Sequence, residues 1–116
     1  MRIAVIGSRT FNDYELMATY LNMIRCAQAD EVEIISGGAR GADHLAENYA
    51  ANWGAALTVF KPDWDNLGKS AGFARNQTII DACDMVVAFW DGKSKGTQDS
   101  INKAKIAKKP TLLVYF

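Results

Sequence analysis

Two prolines, two cysteines and a single histidine occur among 116 residues, and neither sign of charge is in excess. Each scarcity excludes something. His44 stands alone, so no histidine–cysteine metal cluster can be built around it, and a surface position on a helix is its expected role. Cys26 and Cys83 lack metal-type spacing and read as free or buried thiols suited to a reducing compartment. Lysine and arginine total 13, as do aspartate and glutamate, so any attraction for an anionic partner must be local. No apolar run approaches the length of a membrane span. The first residues enter a strand-like run with no signal-peptide core, and the cytoplasm is the expected location. Neither a repeat nor a low-complexity linker interrupts the chain, so residues 1–116 read as one domain.

What is present is alternation. Short apolar runs at Arg2 to Ile6, Glu33 to Ser36, Ala56 to Phe60, Met85 to Phe89 and Thr111 to Tyr115 predict five strands. Between them lie four helical patterns. After Asn12-Asp13, a helix-start signal, Leu16, Met17, Tyr20, Leu21 and Ile24 share one face. Ala42, Leu45, Ala46, Tyr49, Ala50 and Trp53 form the clearest stripe, which Gly54 ends. Ala71 to Cys83 and about Gly96 to Lys108 give two more helices, and Lys61 to Ser70 reads as a longer loop. Strands alternating with helices predict an α/β, Rossmann-like three-layer fold around a five-stranded parallel sheet. With right-handed crossovers and the long third connection crossing the sheet, the expected order is 3-2-1-4-5. Ligands of such folds sit at the carboxyl ends of the strands.

The glycines and hydroxyls gather at those ends. In Ser36-Gly37-Gly38-Ala39-Arg40-Gly41-Ala42-Asp43 a strand end, a glycine-rich turn and a helix start predict an anion-binding loop. There Gly38 is expected to admit the ligand, Ser36 to donate to it, and Ala39, Gly41 and Asp43 to complete the loop. Gly7-Ser8-Arg9 adds a close-approach glycine, a hydroxyl and a guanidinium for bidentate contact. Trp90 and Asp91 lead into Gly92-Lys93-Ser94-Lys95-Gly96-Thr97, which is not a P-loop but offers similar donors. Two anchoring loops suit a nucleotide or nucleotide-derived ligand. Arg75 and Asn76 open the third helix on the same edge, and Trp64 is read either as a base-stacking residue or as a seal on the sheet. The lysines at 103, 105, 108 and 109 have no interleaved aromatics, so nucleic acid is not expected as a partner. Neither a cofactor nor a metal is required on this reading.

These motifs, spread in order over nearly the whole chain, resemble the SLOG superfamily, and most closely its YspA-type branch. That Rossmann-like group includes the LOG-like nucleotide hydrolases and the Smf/DprA DNA-processing proteins. The resemblance implies a nucleotide-binding protein acting as sensor or processing enzyme, with a homodimer as family habit. A LOG-like nucleotide N-glycosidase and a DprA-like DNA-binding protein are the alternatives. LOG-like hydrolases carry P-G-G-x-G-T-x-x-E at the second loop. Aligning Gly96-Thr97 with that pattern puts Ser100 in the place of the glutamate, and of the arginine–lysine pair only Arg75 remains, followed by Asn76. A hydroxyl cannot replace a carboxylate in glycosidic cleavage. Any catalysis would then rest on Arg75 and on a carboxylate supplied by Asp91 or Asp43.

Overall fold

The computed structural model describes residues 1–28 and 30–116. Strands β1 (Arg2–Gly7), β2 (Glu33–Ser36), β3 (Ala56–Val59), β4 (Met85–Trp90) and β5 (Thr111–Tyr115) form one parallel sheet in the order β3-β2-β1-β4-β5. The helices are α1 (Tyr14–Ala27), α2 (Ala42–Trp53), α3 (Trp64–Leu67), α4 (Ala71–Ala82) and α5 (Lys95–Ile106), with a 3-10 turn at Gly68–Ser70. The predicted fold class and strand order are those observed.

The period-two alternation of β1 explains the three layers. Ile3 and Val5 are buried with Met17, Leu21, Ala46 and Tyr49 under α1 and α2. Ala4 and Ile6 face the other way, into Ile79, Ile80, Ile101 and Ala104 of α4 and α5. The chain moves outward from β1 to β3, then crosses back to β4 and β5. Right-handed crossovers in opposite directions place the two helix pairs on opposite faces. Full burial of each branched or aromatic side chain contributes roughly 1.5–3 kcal/mol, so both faces hold the sheet.

Local signals set the helix starts. Asp13 accepts the Leu16 N–H, Asp63 the Asn66 N–H and Ser94 the Thr97 N–H. Gly54 adopts a left-handed conformation after α2. The third connection differs from the expected plain loop: Asp63 starts the single turn α3, which runs through the 3-10 turn into α4. One turn is too short to display helical periodicity in the sequence. No helix among the described residues is long and apolar enough to cross a membrane. Cys26 is exposed, Cys83 is buried, and both are free thiols.

Candidate functional site

At the carboxyl edge of the sheet lies a cleft of about 470 Å³, floored by Gly37, Gly38 and Ala39 and walled by Arg9, Arg40, Lys69, Arg75 and Asn76. Trp64 and Phe73, each about half exposed, form its rim with Pro62. Below it is a recess of about 90 Å³ that shares Arg9, Ala39, Arg75, Asn76 and Gly96 with the cleft. Gly7, Asp43, Ser94, Thr97 and Ser100, with the apolar Ile6 and Ile79, complete the recess. Residues from the β1–α1 turn, α2, α4 and α5 thus meet at one point.

Arg75 holds the centre. Its Nε donates to Asn76 Oδ1 at 3.0 Å, and its Nη1 donates to the Gly37 carbonyl. Asn76 in turn donates to the Gly96 carbonyl at 3.3 Å and to Asp99 Oδ2 at 3.1 Å, tying α4 to α5. The backbone at Gly37 passes between two charged groups. A Cβ there would lie 2.6 Å from Arg75 Nη1 and 2.8 Å from Asp43 Oδ2. Gly37 is therefore the glycine that admits close approach. Gly38, expected to play that part, has φ +73°, and its Cβ would face Val59 and Lys61 behind the loop. The reason for glycine at 38 is conformational.

Asp43 is only 6% exposed. Its Oδ2 accepts the Ala39 N–H at 3.2 Å. Burial pushes its pKa up to about 6, against the pull of the Ala39 N–H and the Arg75 guanidinium, and Glu47 adds to the rise. Burial likewise lowers the Arg75 pKa; Asp43 opposes this and Arg9 reinforces it. Asp43 is the one carboxylate lining either space among the described residues.

Several expected donors serve the protein itself. The Ser8 hydroxyl is buried and accepts the Asp91 N–H at 3.2 Å, tying the ends of β1 and β4. Ser36 is wholly buried; its hydroxyl donates to the Asp43 carbonyl or Glu47 Oε2 and accepts the Gly38 N–H. Trp90 Nε1 donates to the Ser94 carbonyl. Gly41 lies against Ser8 and Arg9, where a Cβ would be 2.4 Å from the Ser8 carbonyl oxygen. Lys95 is exposed and outside both spaces. Asp91 also lies outside them. It accepts the Lys93 and Ser94 N–H groups, which hold its pKa below the usual carboxylate range. At the α2 N-terminus the Ala42 N–H donates to the Ser8 carbonyl. Positive side-chain charge in the recess comes from Arg9 and Arg75.

The fold of the site can now be set beside known proteins. A model of the YspA, cpYpsA-related SLOG family matches residues 1–66. The chain belongs to that SLOG family. Gene 61 protein of Mycobacterium phage D29 is 32% identical over 126 residues, covering 96% of this chain and 94% of that protein. DNA processing protein A from Helicobacter pylori, described with a single-stranded DNA binding mode, superposes with a TM-score of 0.75 at 22% identity. That match covers 97% of this SLOG chain and 64% of the length of the other. It corrects the expectation against nucleic acid, because a protein that contains this fold binds single-stranded DNA. Balanced total charge and the lack of a linear basic–aromatic stripe were the wrong tests. Arg9, Arg40, Lys69 and Arg75 come from separate segments and meet Trp64 and Phe73 only in the folded chain. Alternation within one segment could not reveal that grouping.

Proposed function

We propose that the cleft binds a nucleotide or nucleotide-derived ligand, with a phosphate in the recess between Arg9 and Arg75 and the base against Trp64 and Phe73. The observation that carries this reading is a small recess with two guanidiniums opening into a larger cleft with an aromatic rim. Guanidiniums pair with phosphate oxygens in a fixed fork. Exposed aromatic faces accept any base. The cleft volume suits a small ligand, within the usual range of roughly 300–1,000 Å³. A sensing role in the cytoplasm, which its free thiols suit, stands ahead of an enzymatic one because Ser100 replaces the hydrolase glutamate.

Single-stranded DNA is the second reading, favoured by the cations and aromatics of the same cleft. Both ligands present a phosphate and a base, so the experiment separates them by length. Thermal shifts are recorded with the four nucleoside monophosphates, ADP-ribose and oligothymidylates of increasing length. At a hundred times its dissociation constant a ligand adds about 2.7 kcal/mol, on the order of 10 °C here. A shift that saturates with one nucleotide supports the small-ligand reading. Affinity that grows with strand length and falls steeply with salt supports the second. Arg9→Ala, at an exposed position, should weaken either ligand at least about tenfold. An unchanged shift in that variant, or no shift with any of these compounds, overturns the assignment.

A further inference from the structure

We propose that Asp43 binds the ligand as a carboxylic acid, donating a hydrogen bond to an anionic oxygen seated in the recess. The proposal rests on the nucleotide reading and adds the state in which the site works. The recess is about 90 Å³, so an oxyanion filling it lies against Asp43 as well as the guanidiniums. Asp43 Oδ2 accepts the Ala39 N–H, and the Gly37 N–H also acts on the carboxyl; on this proposal Oδ1 carries the proton that the ligand oxygen accepts. An ionised carboxylate there would face the ligand charge across a space with little room for screening water. A neutral acid turns that repulsion into a donated hydrogen bond.

The surrounding groups fit this division of labour. From the β1–α1 turn Arg9 faces the recess, and from α4 Arg75. On α2 itself Glu47 stands one turn beyond Asp43 and is bonded to the Ser36 hydroxyl. From α5 the uncharged Gly96, Thr97 and Ser100 reach the recess. Glu47 opposes a second negative charge on α2, and burial already favours the protonated form. The proton comes from solvent on binding: free carboxylate, proton and ligand anion give the acid–anion hydrogen bond.

The test uses the methyl ester of adenosine 5′-monophosphate, a phosphodiester whose single charge is constant from pH 5.5 to 8.5. Binding is measured by titration calorimetry across that interval, and at pH 7 in two buffers of different ionisation heat. Wild type should bind at least about tenfold more weakly at pH 8 than at pH 6 and take up close to one proton at pH 7. Asp43→Asn, which keeps an acceptor for the Ala39 N–H, should hold its affinity within about threefold across the interval and take up none. Histidine ordinarily changes charge in this interval, so His44→Gln serves as control and should behave as wild type. Affinity independent of pH in wild type, or a pH dependence that survives in Asp43→Asn or vanishes in His44→Gln, overturns the proposal and leaves the nucleotide reading standing. No binding by wild type at any pH overturns the nucleotide reading itself. If Asp43→Asn does not fold, proton uptake by wild type and His44→Gln decides the matter.

Discussion

Replacing Asp43 by asparagine should stabilise the ligand-free protein at alkaline pH and do much less at acid pH. The carboxyl is buried, and its pKa rises from 3.8 to about 6 on folding. The folded chain therefore holds the Asp43 proton more tightly than the unfolded chain. The contribution to stability is fully present below about pH 4 and is lost as pH rises through about 6. Integrated to pH 8, the loss is about 3 kcal/mol. Roughly half of it, about 1.4 kcal/mol, falls between pH 5 and pH 8. Asparagine keeps the shape and the acceptor for the Ala39 N–H but cannot ionise. Any pH-independent effect of the substitution cancels when the difference between the two proteins is compared at two pH values. The difference in melting temperature, variant minus wild type, should thus increase by about 5 °C between pH 5 and pH 8. Thermal denaturation followed by circular dichroism at both pH values measures it. A difference that stays level, or shrinks as pH rises, refutes the account of Asp43 as a carboxyl whose burial disfavours its charge.

Other consequences are equally concrete. Gly37→Ala should push the Arg75 guanidinium off the Gly37 carbonyl and weaken nucleotide binding at least about tenfold, because a charged hydrogen bond contributes roughly 1.5–3 kcal/mol. Gly38→Ala should lower the melting temperature by several degrees, since a non-glycine residue at positive φ costs about 1–2 kcal/mol, while the ligand shift persists. Trp64→Ala should weaken the base-bearing ligand by about 1–3 kcal/mol and leave inorganic phosphate binding unchanged, read by competition titration. Purified protein incubated with AMP, CMP, GMP or UMP should release no free base by chromatography; release abolished by Asp43→Asn would make Asp43 the missing acid.

The fold was legible because its signals are local or periodic. The Ala42-to-Trp53 stripe, the Asp13 cap and the apolar strand runs each act within a few residues. Their alternation, with right-handed connections, leaves little freedom in the strand order. The site was legible only in outline. Sequence displays a hydroxyl or glycine but not the group that claims it. Ser8, Ser36 and Trp90 look like ligand donors, yet their polar atoms bind main-chain or side-chain partners within the fold. Gly37 and Gly38 are indistinguishable as letters. Only the direction of each absent Cβ assigns one to close approach and the other to backbone conformation. Trp64 and Phe73 share a rim because a single helical turn and a 3-10 turn fold the segment between them, and neither turn has a periodic signature.

The position of the carboxylate bears on whether this SLOG protein binds or cleaves. Hydrolysis of an N-glycosidic bond needs acid–base chemistry at the bond between sugar and base. With the phosphate in the recess and the base at the rim, that bond lies in the outer cleft. Among the described residues, the outer cleft is lined by arginines, a lysine, an amide, glycines and apolar groups, without an acid. The α5 position that resembles the hydrolase glutamate is Ser100, buried in the recess. Asp43 reaches the recess from α2, at the phosphate end of the ligand. Asp91 is committed to the Lys93 and Ser94 N–H groups, and Asp99 accepts from Asn76 and Lys103. A carboxyl beside the phosphate can tune affinity with pH, but it is separated by the sugar from the bond a hydrolase must break. If a phosphate occupies the recess as proposed, this geometry favours recognition over cleavage.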